Sequence, residues 1–140
     1  MNLFGLSEVA LDPARLRAQL QRFDAGGFVS FEGWVRANNA GRAVQRLGYQ
    51  AYAPLAESEG RRIVAAALAR HGALAALCVH RVGLLELGDM AVWVGVAAAH
   101  RQAAFACCRE IIDEVKAHVP IWKNEHYADG ESGWIHPEAE

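Results

Sequence analysis

Hydrophobic residues recur along the chain with two periods, one typical of strands and one typical of helices. The segment Phe28–Arg36 alternates with a period of two and has a large apolar share, which predicts a strand. The segment Met90–Ala99 is the most apolar of the chain and also predicts a strand. Further strands are predicted at 2–10, 44–52 and 74–83.

Helical spacing appears in three other stretches. Asp12 followed by Pro13 is typical of an N-cap and the first position of a helix. This predicted helix ends before the Gly26-Gly27 pair and carries one apolar stripe, formed by Leu16, Leu20 and Phe23.

Two longer helices are predicted downstream. The first runs from Pro54 to about Arg70, and the second runs from His100 to about Val119. Pro120 ends the second because proline cannot continue a helix. Its core face is formed by Ala104, Cys108, Ile111, Ile112 and Val115.

Turn residues predict the connections. Residues 37–42 are predicted to form a loop and residues 84–89 a connection, while 121–127 and 134–136 form two short strands around a turn. Strands and helices mix without a regular βαβ repeat, which favours an α+β fold over a doubly wound sheet. The expected organisation is a single domain over residues 1–140.

Composition and charge narrow the class of protein. Of the 140 residues, 53% are hydrophobic and 21% are charged, which is typical of a folded globular protein. The net charge of −2 gives no overall indication of binding to nucleic acid or to an acidic membrane. A local basic site is still compatible with it.

The three cysteines and the first ten residues bear on the compartment. Cys78, Cys107 and Cys108 are odd in number and form no C-x-x-C motif, so we expect reduced core thiols in a cytoplasmic protein. The first ten residues lack the basic start and apolar core of a signal peptide. The run Val92–Ala99 is far shorter than the ~20 residues that span a bilayer.

His100 and Arg101 are the first candidates for chemistry. They follow an apolar strand and open a helix, whose unpaired N–H groups and dipole favour an anion. Both side chains add donors that suit a phosphate or a carboxylate. The alternative is a solvated helix start.

Lys116 and Lys123 are the second candidates. Pro120 lies between them, so the chain can fold back and bring Lys123 near Lys116, with Trp122 as an aromatic anchor. A partly desolvated lysine beside other cations is suited to moving protons. The alternative is two surface lysines.

The remaining polar candidates are weaker. Arg36 ends the strand before the 37–42 loop and Arg42 lies in that loop, and they either clamp an anion or are ordinary strand-end and loop charges. His80 and Arg81 are adjacent on a strand and face opposite ways, so a structural role is favoured. His126 and His136 have no partners at metal-ligand spacing, so we expect no metal site, and cysteine nucleophiles are disfavoured.

Taken together, these segments resemble the large, catalytic subunit of molybdopterin synthase, over roughly residues 25–135. Pairing of a His-Arg helix start with a Pro-x-Trp-Lys segment is the specific part of the resemblance. The matching segments are 27–36, 52–57, 79–83, 88–89, 94–96, 99–101 and 120–125. The chain departs from the family at Trp34 and at Asn124, where a small or basic residue and a basic residue, respectively, are common.

The resemblance implies an α/β-hammerhead fold with a mixed, largely antiparallel sheet and about three helices. It implies a homodimer within a heterotetramer, in which each large subunit binds a small ubiquitin-like sulfur-carrier subunit with a thiocarboxylate at its Gly-Gly C-terminus. Two sulfurs pass to cyclic pyranopterin monophosphate and give the dithiolene of molybdopterin. No cofactor is implied.

By position, the resemblance makes Lys116 and Lys123 the catalytic pair and makes Arg36, His100 and Arg101 the substrate-binding residues. The residues by themselves indicate a cationic, anion-binding pocket. Two other functions use the same features: a module that binds a partner's C-terminal carboxylate, and a phosphate-ester transferase. The absence of a nucleophile or metal motif favours sulfur delivered by a partner.

Overall fold

The computed structural model describes residues 3–137, and these residues form three helices and nine strands. The helices are α1 (Pro13–Ala18), α2 (Ala53–His71) and α3 (Arg101–His118). The strands are β1 (Phe4–Ser7), β2 (Gly27–Trp34), β3 (Asn38–Asn39), β4 (Arg42–Ala51), β5 (Ala75–Arg81), β6 (Gly83–Glu86), β7 (Met90–Ala98), β8 (Ile121–Tyr127) and β9 (Gly130–Glu131).

The strands form two sheets. The first has the order β1-β5-β7-β2, in which only the β1–β5 pairing is parallel. The second joins β3, β4, β8 and β9 in that order, and β6 also pairs with β4, on the side away from β8. The predicted α+β class, with a mixed, largely antiparallel sheet and three helices, is confirmed for residues 3–137.

Both faces of the first sheet are covered, which explains why β7 is so apolar. Val92, Val94 and Val96 face a core shared with α2 and α3, while Trp93 and Ala97 face a smaller core beneath Leu20. The long helices therefore pack on one face of the sheet, and the segment around α1 covers the other.

The first helix is shorter than predicted, and the prediction that Phe23 lies on its apolar stripe is wrong. The helix ends at Ala18, Leu20 is buried after it, and the side chain of Phe23 is fully exposed. Gly26 already donates a backbone hydrogen bond to the Ala98 carbonyl. The chain must leave the helical path several residues earlier in order to reach that sheet edge.

Two connections contain pairing that the sequence pattern did not predict, and the second strand of the final hairpin lies earlier than predicted. The expected connection at 84–89 holds part of β6, which pairs with β4, and the expected loop at 37–42 holds β3. The second strand of the final hairpin is β9, and Ile135 from the predicted 134–136 strand forms one isolated bridge with Lys123. β6 has a partner distant in sequence, whereas β3 and β9 pair with the strand next to them through tight turns.

The predictions at the two ends reach beyond the described residues. The first position of the predicted 2–10 strand and both ends of the predicted 1–140 domain lie outside residues 3–137. Within that range, no helix has both the length and the apolar character required to cross a bilayer.

Gly60 tests the packing of α2 against β1. A Cβ at Gly60 would collide with the ring of Phe4, whose side chain is 1% exposed. Glycine to alanine normally stabilises a helix interior by about 1 kcal/mol. Here we expect Gly60→Ala to lower the free energy of unfolding by about 1–3 kcal/mol, because overpacking outweighs helix propensity. Urea unfolding measures the change, and a stabilised variant would contradict the packing described.

Candidate active site

A cavity of about 160 Å³ lies where the C-terminal ends of β2 and α3 meet β4, β5 and β8. Its apolar wall comes largely from the end of α3 and the start of β8, including Ile112, Val115, Val119 and Ile121. Its polar side chains are Arg36, Asn38, Tyr49, His80, Lys116, Lys123 and Glu125. The cavity therefore combines a desolvated wall with several charged groups.

Lysine occurs only twice in the sequence, and both lysines line this cavity. Lys116 lies in the last turn of α3 and is exposed. Pro120 follows the helix, and β8 then pairs antiparallel with β4, which places Lys123 opposite Tyr49. Lys123 is 8% exposed. The predicted return of the chain around Pro120 is thus observed, and it brings the two lysines to one cavity.

Trp122 does not anchor Lys123 in the way that the sequence suggested. Successive residues of a strand face opposite sides, and Trp122 instead packs edge-on against His136, with ring centroids 6.3 Å apart. The backbone of Lys123 is held by Ile135 through two hydrogen bonds of 2.7 and 2.8 Å. The final segment of the chain therefore fixes the strand that carries this lysine.

Glu125 is the acidic member of the cavity. It lies on the same face of β8 as Lys123, and its Oε1 is 3.6 Å from the lysine Nζ. Its Oε2 is buried without a hydrogen-bond partner among residues 3–137. An unpaired buried carboxylate oxygen is costly, so it favours a ligand that donates a hydrogen bond.

Arg36 completes the group of cations. It follows β2, is exposed, and donates from Nη2 to Asn39 Oδ1 over 3.3 Å. Arg36, Lys116 and Lys123 face a cavity that Glu125 shares. Three cations against one carboxylate make the cavity suitable for an anion.

His100 and Arg101 do not line this cavity. They lie exposed at the start of α3, on a shallow surface shared with Gln102, Phe105 and Ala106. Arg101 and Lys116 are fifteen positions apart on this helix, which corresponds to a rise of about 22 Å. A single chain therefore presents two separate cationic sites instead of the one pocket that the sequence suggested.

Arg42 is used within the fold. Its Nη2 is 2.6 Å from Asp129 Oδ1, and its guanidinium lies 3.7 Å from the centre of the Tyr127 ring. These contacts connect the start of β4 to the β8–β9 hairpin. Arg36 lines the cavity, and Arg42 does not.

His80 and Arg81 diverge, as the strand pattern predicts. Arg81 Nη1 donates to Asp89 Oδ2 over 3.2 Å, whereas His80 lines the cavity. The strand pattern favours a structural role for His80 and gives Glu125 no particular role. For His80 the sequence held no signal beyond a polar residue near the end of a buried strand, which suits a structural histidine equally well; for Glu125 the available signal was its spacing of two from Lys123.

None of the cysteines is placed to attack a substrate. Cys78, Cys107 and Cys108 are free and buried. Burial raises the pKa of Cys107 to about 12 and that of Cys108 to about 11, so both thiols stay protonated near neutral pH. Within residues 3–137, His, Cys, Asp and Glu side chains form no cluster of three or more that would hold a metal ion.

Burial of His80 predicts a pH dependence of stability. Burial lowers its pKa from 6.5 to about 4, so the unfolded chain takes up a proton that the folded chain does not. The resulting stability is complete above pH 6.5 and is lost as the pH falls towards 4. By pH 4 the loss is about 3 kcal/mol.

Urea unfolding of the wild type and His80→Gln at pH 7 and pH 4 isolates this contribution, since Lys116, Lys123 and Glu125 face the same cavity in both proteins. We expect the variant to lose less stability than the wild type between the two pH values. Equal losses would show that His80 does not contribute.

The chain is similar in sequence to one family of known proteins. The model of the MoaE protein family matches residues 6–118. A molybdopterin synthase catalytic subunit from Thermoplasma volcanium is 38% identical over 129 residues, which cover 92% of this chain and 94% of the relative.

Two solved structures share the fold. A molybdopterin synthase structure from Staphylococcus aureus superposes with a TM-score of 0.90 at 30% identity, covering 96% of this chain and 98% of that one. A structure from Helicobacter pylori, described as a complex of subunits 1 and 2 of molybdopterin-converting factor, has a TM-score of 0.72 at 20% identity, with coverage of 91% and 87%.

The sequence similarity extends across the segments that form the cavity as far as the end of α3, and the structural similarity extends over almost the whole chain. The chain belongs to the MoaE protein family, the family of the catalytic subunits of molybdopterin synthase.

Proposed function

We propose that this chain is the sulfur-transferring subunit of a molybdopterin synthase. It passes two sulfurs, each from the C-terminal thiocarboxylate of one small ubiquitin-like subunit, to cyclic pyranopterin monophosphate and so forms the dithiolene of molybdopterin. The observation that carries the proposal is the cavity in which Arg36 and the only two lysines of the chain meet.

The cations of the cavity supply electrostatic catalysis. The thiocarboxylate sulfur attacks a substrate carbon and displaces its oxygen as water, and a second water then cleaves the resulting thioester, which leaves sulfur on the pterin and a carboxylate on the small subunit. Nearby ammonium groups stabilise the negative charge that develops on the leaving oxygen and on the thioester carbonyl. Lys116 is exposed at the end of α3, whereas Lys123 is buried beside Glu125. A lysine can also donate the proton needed when water leaves. In this proposal Lys116 and Lys123 are the catalytic residues, and Arg36 binds the substrate.

Sulfur must arrive from outside the chain. The three cysteines are buried, and burial holds their thiols in the protonated form. A C-terminal Gly-Gly tail suits a cavity of about 160 Å³ because glycine has no side chain. The Helicobacter pylori structure, described as a complex of two subunits, is compatible with such a partner.

The position of His100 and Arg101 supports a homodimer. Because they lie about 22 Å along α3 from Lys116, they reach a substrate in the cavity only if a second copy supplies them. We therefore infer that Arg101 of the partner subunit and His100 of the partner subunit bind the phosphate or pterin of the substrate held by Lys116 and Lys123. With one small subunit at each cavity, the assembly is a heterotetramer.

The proposed compartment is the cytoplasm. Three buried, unpaired cysteines are compatible with a reducing environment. The proposed organisation remains a single domain over residues 1–140, since the two sheets share α3 and the cavity between them.

A reconstituted reaction tests the function. The protein is mixed with a thiocarboxylated small subunit and cyclic pyranopterin monophosphate, and formation of the dithiolene is followed after its conversion to a fluorescent derivative. We expect product only when the small subunit carries the thiocarboxylate. A small subunit with an ordinary carboxylate is the matched control.

The same assay separates the other two functions. A module that only binds the partner would retain the small subunit and form no dithiolene. A phosphate-ester transferase would turn over the substrate phosphate without the small subunit. Either result would contradict the proposal.

A further inference from the structure

His80 occupies a constrained position at the end of β5. Its side chain is 8% exposed and contacts the Tyr49 ring edge-on, with centroids 4.8 Å apart. Its Nδ1 lies 2.7 Å from the carbonyl oxygen of Arg81. A carbonyl oxygen only accepts hydrogen bonds, so Nδ1 carries the proton and the orientation of the ring is set by the backbone.

The second ring nitrogen is therefore a hydrogen-bond acceptor. In the neutral imidazole, Nε2 holds a lone pair when Nδ1 is protonated. The buried nitrogen and oxygen atoms without a partner among residues 3–137 are Arg81 Nε and Glu125 Oε2. Nε2 of His80 also forms no hydrogen bond in that range, but it is not one of these fully buried atoms. It is therefore accessible from the cavity that His80 lines.

Lys116 is a cation that lines the same cavity as this imidazole. Its side chain forms no ion pair within the described range 3–137. Burial, and to a smaller degree the Lys116 charge, lower the pKa of His80 to about 4, which keeps the ring neutral at pH 7. A neutral acceptor can orient an ammonium without cancelling its charge, whereas a carboxylate would neutralise it.

We propose that His80 is a positioning residue for Lys116: when the substrate fills the cavity, Nε2 of His80 accepts a hydrogen bond from the Lys116 ammonium and holds that cation against the reacting oxygen. This inference rests on the proposed sulfur transfer. It assigns a task to a residue whose role the sequence left open, and it explains why a buried, neutral histidine lines an otherwise cationic cavity.

Two amide variants separate the two ring nitrogens. In His80→Asn, the amide takes the place of Nδ1 and can still donate to the Arg81 carbonyl, but nothing replaces Nε2. In His80→Gln, the longer amide places an acceptor near the position of Nε2. The full complex is assayed with the thiocarboxylated small subunit and cyclic pyranopterin monophosphate, and thermal unfolding of each variant is recorded in parallel.

We expect His80→Asn to lower kcat about tenfold to a hundredfold, the effect of losing a hydrogen bond to a charged group, with KM changed less than about threefold. We expect His80→Gln to recover at least about a third of the lost rate. A wild-type kcat in His80→Asn, or equal losses in both variants, would overturn the proposal. So would a His80→Asn loss that matches a lower folded fraction.

A double-mutant cycle distinguishes action through Lys116 from a merely structural role. If His80 acts through Lys116, adding His80→Asn to a Lys116→Met variant changes the remaining rate by less than about twofold. A structural role would lower it by the same factor as in the wild-type background, and that result would overturn the inference.

The wild type in the same assay keeps the two proposals apart. No dithiolene from the wild-type complex contradicts the proposed function itself. Dithiolene from the wild type, together with an active His80→Asn, contradicts only the role of His80. Nitrogen NMR of histidine-labelled protein checks the premise directly, since a protonated Nε2 at pH 7 would also overturn the inference.

Discussion

Replacing Lys116 by methionine is expected to lower the turnover of sulfur transfer at least about a hundredfold, as the loss of one preorganised charge in an active site typically does. Methionine keeps the apolar length of the side chain and removes only the ammonium. Lys116 is exposed and has no ion pair within residues 3–137, so the thermal unfolding midpoint should remain close to that of the wild type. Single-turnover assays of dithiolene formation measure the effect.

The chain offers a matched control on the same helix. Arg109 is an exposed cation of α3 that pairs with Asp113, outside the cavity. Arg109→Met removes one charge from the same helix and should leave turnover within about twofold of the wild type. A Lys116→Met variant as active as Arg109→Met would show that Lys116 is not catalytic.

Lys123→Met is a less clean test because its effects on activity and stability are combined. Lys123 is buried, and removing its ammonium leaves the Glu125 carboxylate without the cation 3.6 Å away. We expect a loss of about 1–3 kcal/mol in unfolding free energy together with the loss of turnover. Adding Glu125→Gln should restore part of the stability, and activity should stay low because the ammonium is still missing.

Mixing two inactive variants is expected to restore activity if the site is shared between subunits. One chain carries Lys116→Met, and the other carries His100→Ala with Arg101→Ala. In the heterodimer, one cavity collects both defects while the other has wild-type lysines and wild-type His100 and Arg101. Heterodimers purified through two different tags should therefore show about half of the wild-type activity, measured below the KM for the pterin.

A second mixture controls for recovery by any other route. In heterodimers of Lys116→Met and Lys123→Met chains, each cavity lacks one of its two lysines. Neither cavity is intact, so activity should stay near that of the single variants. If the first mixture also fails to recover, His100 and Arg101 act within their own chain or not at all on this substrate. The proposed shared site would then be wrong.

The sequence was most informative where local physics decides the outcome. Asp12 accepts hydrogen bonds from the backbone of Ala14 and Arg15, as an N-cap should. Pro120 ends α3, and the apolar face of that helix, including Ile111 and Val115, is buried as the spacing predicts. These features depend on residues within a turn or two of one another, so the sequence contains the whole interaction.

Tertiary structure decided the features whose partners are far apart along the chain. Phe23 leaves the helical path because Gly26 is hydrogen-bonded to the Ala98 carbonyl on β7. β6 forms because β4 has an edge with which it can pair. His80 is placed in the cavity by the pairing of β5 with β7, although nothing around it in the sequence distinguishes it from a structural histidine.

In the candidate site, too, some features follow from the sequence alone and others only from the tertiary structure. The sequence by itself determined that His100 and Arg101 lie at the start of one long helix and that Lys116 and Lys123 lie at its end and just beyond it, because helix starts, helix ends and proline breaks are local. Only the tertiary structure decided which of them share a cavity. The rigid rise of α3 separates Arg101 from Lys116, while β4–β8 pairing brings Lys123 and Glu125 to Lys116. A helix fixes the distance between its own ends, but strand pairing alone decides which distant residues meet.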